Sequence, residues 1–183
     1  MEFYEVIRTR RSVRSFKPDP IPEDVLERIL DAARIAPSGS NRQPWLFILV
    51  RDSEVKRRLA EYCSNQMFIA EAPVVVVVCG FNIHYNRGGY MGDMSMLVDC
   101  SIATTHLILA ARAEGVGSCW IGAFDNTRIK KLLGIPEDVN VVAVVPLGYP
   151  KEGEAFRDVS TEERKQLNEL VRLDRFDGSS WPR

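Results

Sequence analysis

The chain is poor in the residues from which metal and nucleophile chemistry is usually built. It holds two histidines, His84 and His106, and four cysteines, Cys63, Cys79, Cys100 and Cys119, with no CxxC pair among them. That scatter matches no common zinc framework, so no metal and no disulfide is expected, and reduced thiols are the default. Cys79 lies in an apolar run and Cys119 beside Trp120, settings in which a thiol acts as a small hydrophobe. Neither charge is in excess. The 24 Lys and Arg against 25 Asp and Glu leave a net charge of −1, without the basic surplus that nucleic acid or an acidic membrane would select.

Long hydrophobic runs are missing as well. Val74 to Cys79 is too short to cross a bilayer, and the apolar segment 96–113 is interrupted by Asp99, His106 and Arg112, so no membrane span is expected. Met1 to Glu5 lead into arginines without the hydrophobic stretch of a secretory signal, which points to the cytoplasm. Repeats, low-complexity segments and long linkers are absent, and 183 residues suit a single domain with one sizeable core. No P-loop occurs. Gly115-Val-Gly117 with the later Gly122 lacks the glycine spacing of a dinucleotide fingerprint and follows a helical pattern rather than a strand.

Two polar stretches stand out against this background. Ala36-Pro-Ser-Gly-Ser-Asn-Arg-Gln-Pro-Trp45 sets Ser38, Ser40, Asn41 and Gln43 between two prolines and ends on an aromatic, which suits a loop that holds something polar and flat. Arg8-Thr-Arg-Arg-Ser-Val-Arg-Ser15 concentrates four guanidinium groups and two serines after a short apolar run. Arginine forks match phosphate oxygens, so this segment reads as an anion clamp; a solvated basic helix end is the plainer reading for arginines taken alone.

Apolar spacing predicts helices over about 2–9, 23–35, 53–63, 65–71, 95–114, 126–133 and 161–173. Strands are expected at 46–50, 74–79 and 141–147, where short β-branched or apolar runs are bounded by proline or charge. Ser95 to Glu114 is apolar around most of its circumference, so it must be buried on several sides, and His106 within it reads as a core histidine. Trp181, near the end of an aperiodic tail, is expected to pack on a neighbour.

Arg10-Arg-Ser-Val-Arg14 followed by Ser38-Gly-Ser-Asn-Arg-Gln-Pro-Trp45 resembles the opening of the flavin-dependent nitroreductase family. Asn65-Gln66 before Ala72-Pro73, then Gly115-Val-Gly-Ser-Cys-Trp-Ile-Gly122 and Gly148-Tyr-Pro150, continue the resemblance in order along nearly the whole chain. The resemblance implies an α+β fold: a central, mostly antiparallel sheet flanked by helices, with the C-terminal segment extending over the partner subunit of a homodimer. FMN would lie at the subunit interface. Arg10 and Ser12 would contact its phosphate and ribityl chain, with Arg11 in the same motif and Arg14 near the pyrimidine end of the ring. Pro37, Ser38 and Gly39 would bind from the partner subunit, supported by Asn41 and Gln43. Asn65 would reach the ring's polar edge, the backbone around Trp120, Ile121 and Gly122 would face its reactive edge, and Arg157 would complete the phosphate site.

The chemistry so implied is ping-pong, with NADH or NADPH giving hydride to the flavin and a nitroaromatic, quinone or similar planar small-molecule acceptor taking the electrons. No acid–base side chain is needed for the hydride step, in keeping with the lack of a Ser/His/Asp set or a carboxylate pair. Dehalogenation, flavin fragmentation and non-enzymatic FMN binding are the alternatives. Residues 80–94, with Phe81, Tyr85 and Tyr90, are expected to edge the substrate pocket, an ordinary connecting loop being the plainer reading.

Overall fold

Val74–Phe81 forms a strand whose first seven residues are all buried, as an unbroken valine run bounded by proline demands. In the computed structural model, which describes residues 1–81, 90–153, 156–162 and 164–181 and only the backbone of 90–93, this strand is the second of four. Trp45–Val50 is β1, Val74–Phe81 β2, Gly117–Ser118 β3 and Val139–Gly148 β4. They lie in the order β1-β2-β4-β3 with every pairing antiparallel, so β2 and β4 take the centre and the expected sheet is borne out.

Alternation along β2 sorts the core into two layers. Val74, Val76 and Val78 face one cluster, built with Leu26, Ile29 and Ala33 of α2 (Glu23–Arg34) and Cys100, Leu107 and Ala111 of α5 (Tyr90–Ala113). Val75, Val77 and Cys79 face the other, with Leu59 of α3 (Ser53–Tyr62), Ile69 of α4 (Phe68–Glu71) and Ile129 of α6 (Asn126–Leu133). The period of two in the strand thus meets helices on both faces. α1 (Phe3–Thr9) precedes these, and α7 (Leu167–Leu170) follows.

Local signals account for several boundaries. Asp52 and Asp125 cap α3 and α6, each side chain accepting from a backbone N–H three residues on, and Gly134 closes α6 in the left-handed region at φ 65°. α5 is long and apolar enough over Met94–Ala113 to cross a membrane, yet α1, α2 and all four strands pack against it. His106, expected in the core, is hydrogen-bonded but only half-buried, with Nδ1 3.2 Å from the Ala32 carbonyl.

Two expected helices need correction. The helix placed at 65–71 starts only at Phe68, because Ser64 and Asn65 adopt left-handed backbone at φ 59° and 57° and turn the chain. The helix placed at 161–173 reduces to Leu167–Leu170, held by a capping box between Gln166 and Glu169, with residue 163 outside the described set. Leu167 and Leu170 are 62% and 61% exposed, so the apolar face that a longer helix would need is left largely uncovered by the described residues. Trp181 is likewise 47% exposed here. Residues 82–89, including Tyr85, and the side chain of Tyr90 lie outside the described residues, so of the expected pocket edge only Phe81, at the end of β2, is described as a side chain.

Candidate functional site

The arginine segment is fixed to the sheet by its apolar members. Helix α1 ends at Arg10, whose N–H still bonds to the Val6 carbonyl while its own backbone turns extended. Val13 and Phe16 are then fully buried, the Val13 N–H donates to the Ser118 carbonyl at 2.9 Å, and Ser12 pairs with Ser118 in a parallel bridge. Gly117 makes this approach possible: a Cβ there would lie 2.9 Å from Val13 Cγ2. The arginine motif and the glycine segment, more than a hundred residues apart, therefore form one ledge. Arg10, Arg11 and Ser12 are half-buried on it and Arg14 is exposed.

Beside the ledge lies a cleft of about 320 Å³ lined by Arg11, Arg157, Asp158, Val159, Ser160 and Arg164. The segment that carries Arg157 is tied to α1: the Val159 N–H donates to the Arg8 carbonyl at 2.8 Å, and Arg8 lies 3.8 Å from Asp158. Arg11 Nη1 is buried without a hydrogen-bond partner among the described residues. Burial, and then the charge of Arg164, lowers the pKa of Arg10 from its ordinary value. Three arginines, Arg11, Arg157 and Arg164, thus line one cleft, a donor set suited to an anion. Arg157, reached from the sequence only by resemblance, lines it; Arg164, expected only as part of the helix at 161–173, and Ser160, which had no assigned role, were missed.

The glycine segment presents backbone rather than side chains. Ile121 is buried, and both its N–H and its C=O are engaged by Val144, at 3.0 and 3.2 Å. Trp120 packs its half-buried ring against the α2/α5 layer of the core. Gly122 is exposed, and a Cβ built on it meets nothing within 4 Å. Of these three residues, then, Gly122 leaves room for a flat ligand against the main chain.

The 37–43 loop is strained. Ser40, Asn41 and Gln43 have φ of 52°, 55° and 51°, left-handed values that cost a non-glycine residue about 1–2 kcal/mol. Internal bonds support them: Ser38 Oγ accepts from the Gln43 N–H at 2.9 Å, and Gln43 Nε2 donates to the Asn41 carbonyl at 3.1 Å. The Gly39 N–H donates to Asp99 Oδ1 on α5 at 3.1 Å, a contact with no signal in the sequence beyond one acid on an apolar helix. Pro37, Gly39, Asn41 and Gln43 are exposed and Ser38 half-buried, so the loop offers its polar groups outward.

The chain does not bring all the expected residues together. Among the described residues no hydrogen bond or ion pair joins the 37–43 loop to the arginine ledge, and exposed Asn65 stands at a separate left-handed turn. Thiol chemistry has little support, since burial raises Cys63 and Cys100 to about 12 and Cys79 to about 11. Among the described residues no group of three or more His, Cys, Asp or Glu could hold a metal ion.

This geometry has known counterparts. A family model described as the nitroreductase family matches residues 7–83 and 64–149. Over 159 residues the chain is 40% identical to an Archaeoglobus fulgidus protein whose name gives NADH dehydrogenase/NAD(P)H nitroreductase as its provisional activity, covering 85% of this chain and 89% of that one. Among solved structures, a nitroreductase family protein from Clostridium novyi NT superposes with a TM-score of 0.77 at 34% identity, covering 98% of this chain and 97% of that one. The NADPH:FMN oxidoreductase of Vibrio harveyi, solved with NAD+, superposes with a TM-score of 0.84 at 26% identity over 95% of this chain and 77% of that one.

Proposed function

We propose that this chain, which belongs to the nitroreductase family, binds FMN as one domain over residues 1–183 and passes electrons from NADH or NADPH to planar acceptors such as nitroaromatics and quinones. It is an NAD(P)H-dependent flavin oxidoreductase; FMN, the acceptor class and a ping-pong order are the finer reading. The observation that carries it is the guanidinium of Arg11, which lines a cleft with Arg157 and Arg164 and has one buried nitrogen without a hydrogen-bond partner among the described residues. A dianionic phosphate ester would answer that donor, and the open space at Gly122, on the segment bridged to the same ledge, admits a planar ring.

Each part of the chain has a distinct task in this reading. Arg10, Arg11, Arg157 and Arg164 hold the phosphate, with Ser12 and Ser160 as neutral donors. Arg14 stands at the pyrimidine end of the ring, and Gly122 lets backbone approach the ring edge. The flavin, when bound, supplies the hydride and electron chemistry, so the protein's part is to bind, orient and shield it.

The family resemblance implies a dimer, and exposed apolar surface supports it. In this reading Pro37, Ser38 and Gly39 complete the site from a second copy. Apolar residues on α1 and α5, Phe3, Leu97 and Val98 among them, are 62%, 41% and 40% exposed around a cleft of about 590 Å³, a surface such a copy would cover. The C-terminal segment, with Leu167, Leu170 and Trp181 exposed, would extend over that copy, in the cytoplasm.

Titration of flavin-free protein with FMN and with riboflavin, followed by anaerobic addition of each nicotinamide and then of a quinone, tests the reading. Binding of FMN in strong preference to riboflavin, bleaching by a nicotinamide and recovery of colour with the quinone are expected. A protein that takes up neither flavin would end it.

A further inference from the structure

Asp99 is an acidic residue kept 5% exposed on a helix that is otherwise a core element. Its Oδ1 accepts the Gly39 N–H at 3.1 Å across 60 residues of sequence, and its Oδ2 is buried without a hydrogen-bond partner among the described residues. A carboxylate buried and half satisfied is costly, and a leucine would suit the helix better. Next to it, Cys100 Sγ lies 3.8 Å from the Pro44 carbonyl, so two consecutive residues of α5 touch the two ends of the strained loop. The bonds between Ser38, Asn41 and Gln43 shape the loop internally, but they do not fix where it stands on the protein.

We infer that Asp99 is a positioning residue: through the Gly39 amide it holds the 38–43 loop, with its three left-handed non-glycine residues, in the conformation that presents it to the flavin. Resting on the flavin reading for the loop's purpose, the inference needs only an acceptor oxygen at that point. An asparagine can supply one and a leucine cannot. Asp99 touches no reacting atom. Its effect passes through the loop.

The test uses full-length, flavin-free protein with two variants, Asp99→Asn and Asp99→Leu. Amide hydrogen exchange of Gly39 is expected to be slow in the wild type, about tenfold or more faster in Asp99→Leu, and close to wild type in Asp99→Asn. FMN dissociation constants should follow the same order, about tenfold weaker for leucine and within about threefold for asparagine. Equal Gly39 exchange in wild type and Asp99→Leu, or failure of asparagine to restore it, overturns the assignment. If Asp99→Leu does not fold, the wild type and Asp99→Asn still decide it, since a rapidly exchanging Gly39 amide in the wild type also overturns it. Exchange is read without cofactor, so a protein that binds no FMN sinks the flavin reading while leaving this result standing.

Discussion

The Arg112 guanidinium carbon lies 4.0 Å from the centre of the Phe156 ring, stacking a buried cation of the core helix on the residue just before Arg157. Arg112 Nε also donates to Thr9 Oγ1 at 2.8 Å, so one side chain joins α5, the end of α1 and the C-terminal segment that lines the arginine cleft. Burial lowers its pKa from the ordinary value. Replacing it with methionine keeps apolar bulk but removes the stacked charge and the bond to Thr9. FMN affinity is expected to fall about tenfold, the equivalent of about 1.4 kcal/mol, while riboflavin affinity holds, because only the phosphate end is displaced.

Removing Arg11 or Arg157 directly should separate the two flavins further. A hydrogen bond to a charged group contributes about 1.5–3 kcal/mol, so Arg11→Ala or Arg157→Ala should weaken FMN by about tenfold or more and leave riboflavin nearly unchanged. The salt dependence of FMN binding, measured by fluorescence quenching, should flatten in both variants. Parallel losses for the two flavins would move the phosphate elsewhere.

Gly117 and Gly122, five residues apart, should respond in opposite ways. Gly117→Ala drives a methyl into Val13 and should cost about 1–3 kcal/mol of stability, read as a lowered melting temperature. Gly122→Val meets open space, so the melting temperature of the flavin-free protein should move by no more than about 2 °C while flavin binding or nicotinamide oxidation is lost. Full activity in Gly122→Val would remove that position from the site.

Stability should decline in alkali through the buried thiols. Burial raises Cys63 and Cys100 from about 9 to about 12, so the unfolded chain releases those protons at lower pH than the folded one. The contribution is complete below about pH 9 and is lost as pH rises toward about 12. Urea unfolding at pH 8 and pH 10 should show the lower midpoint at pH 10, and replacing Cys63 with alanine should reduce the difference. At neutral pH, iodoacetamide should leave Cys63, Cys79 and Cys100 unmodified until the protein unfolds.

Charging the exposed face of α5 should separate the two half-sites. Leu97→Glu places a carboxylate among apolar residues of a surface assigned to a second copy, so sedimentation should show a shift from dimer to monomer. FMN affinity should fall with it, because the monomer lacks the partner's 37–43 loop. A monomer that keeps wild-type affinity would place the whole site within one chain.

Elements with strong local signals were legible without coordinates. The apolar spacing of α2, α3 and α6 and the valine run of β2 depend on neighbours along the chain, so these elements stand where expected. The arginine and proline–serine segments were visible as polar motifs, and the resemblance supplied Arg157. The segment 161–173 misled because its charge and apolar spacing suit a helix, whereas the described residues leave Leu167 and Leu170 largely exposed.

By itself, then, the sequence determined the helix and strand periods and the residue types offered to an anion. Only the tertiary structure decided that Ser12 meets Ser118, that Arg11 and Arg164 share a cleft, and that Asp99 reaches Gly39. Periodicity is a property of near neighbours, while a site is made by contacts between segments sixty to a hundred and fifty residues apart. Packing of the sheet and α5 selects those contacts, and no local pattern records them.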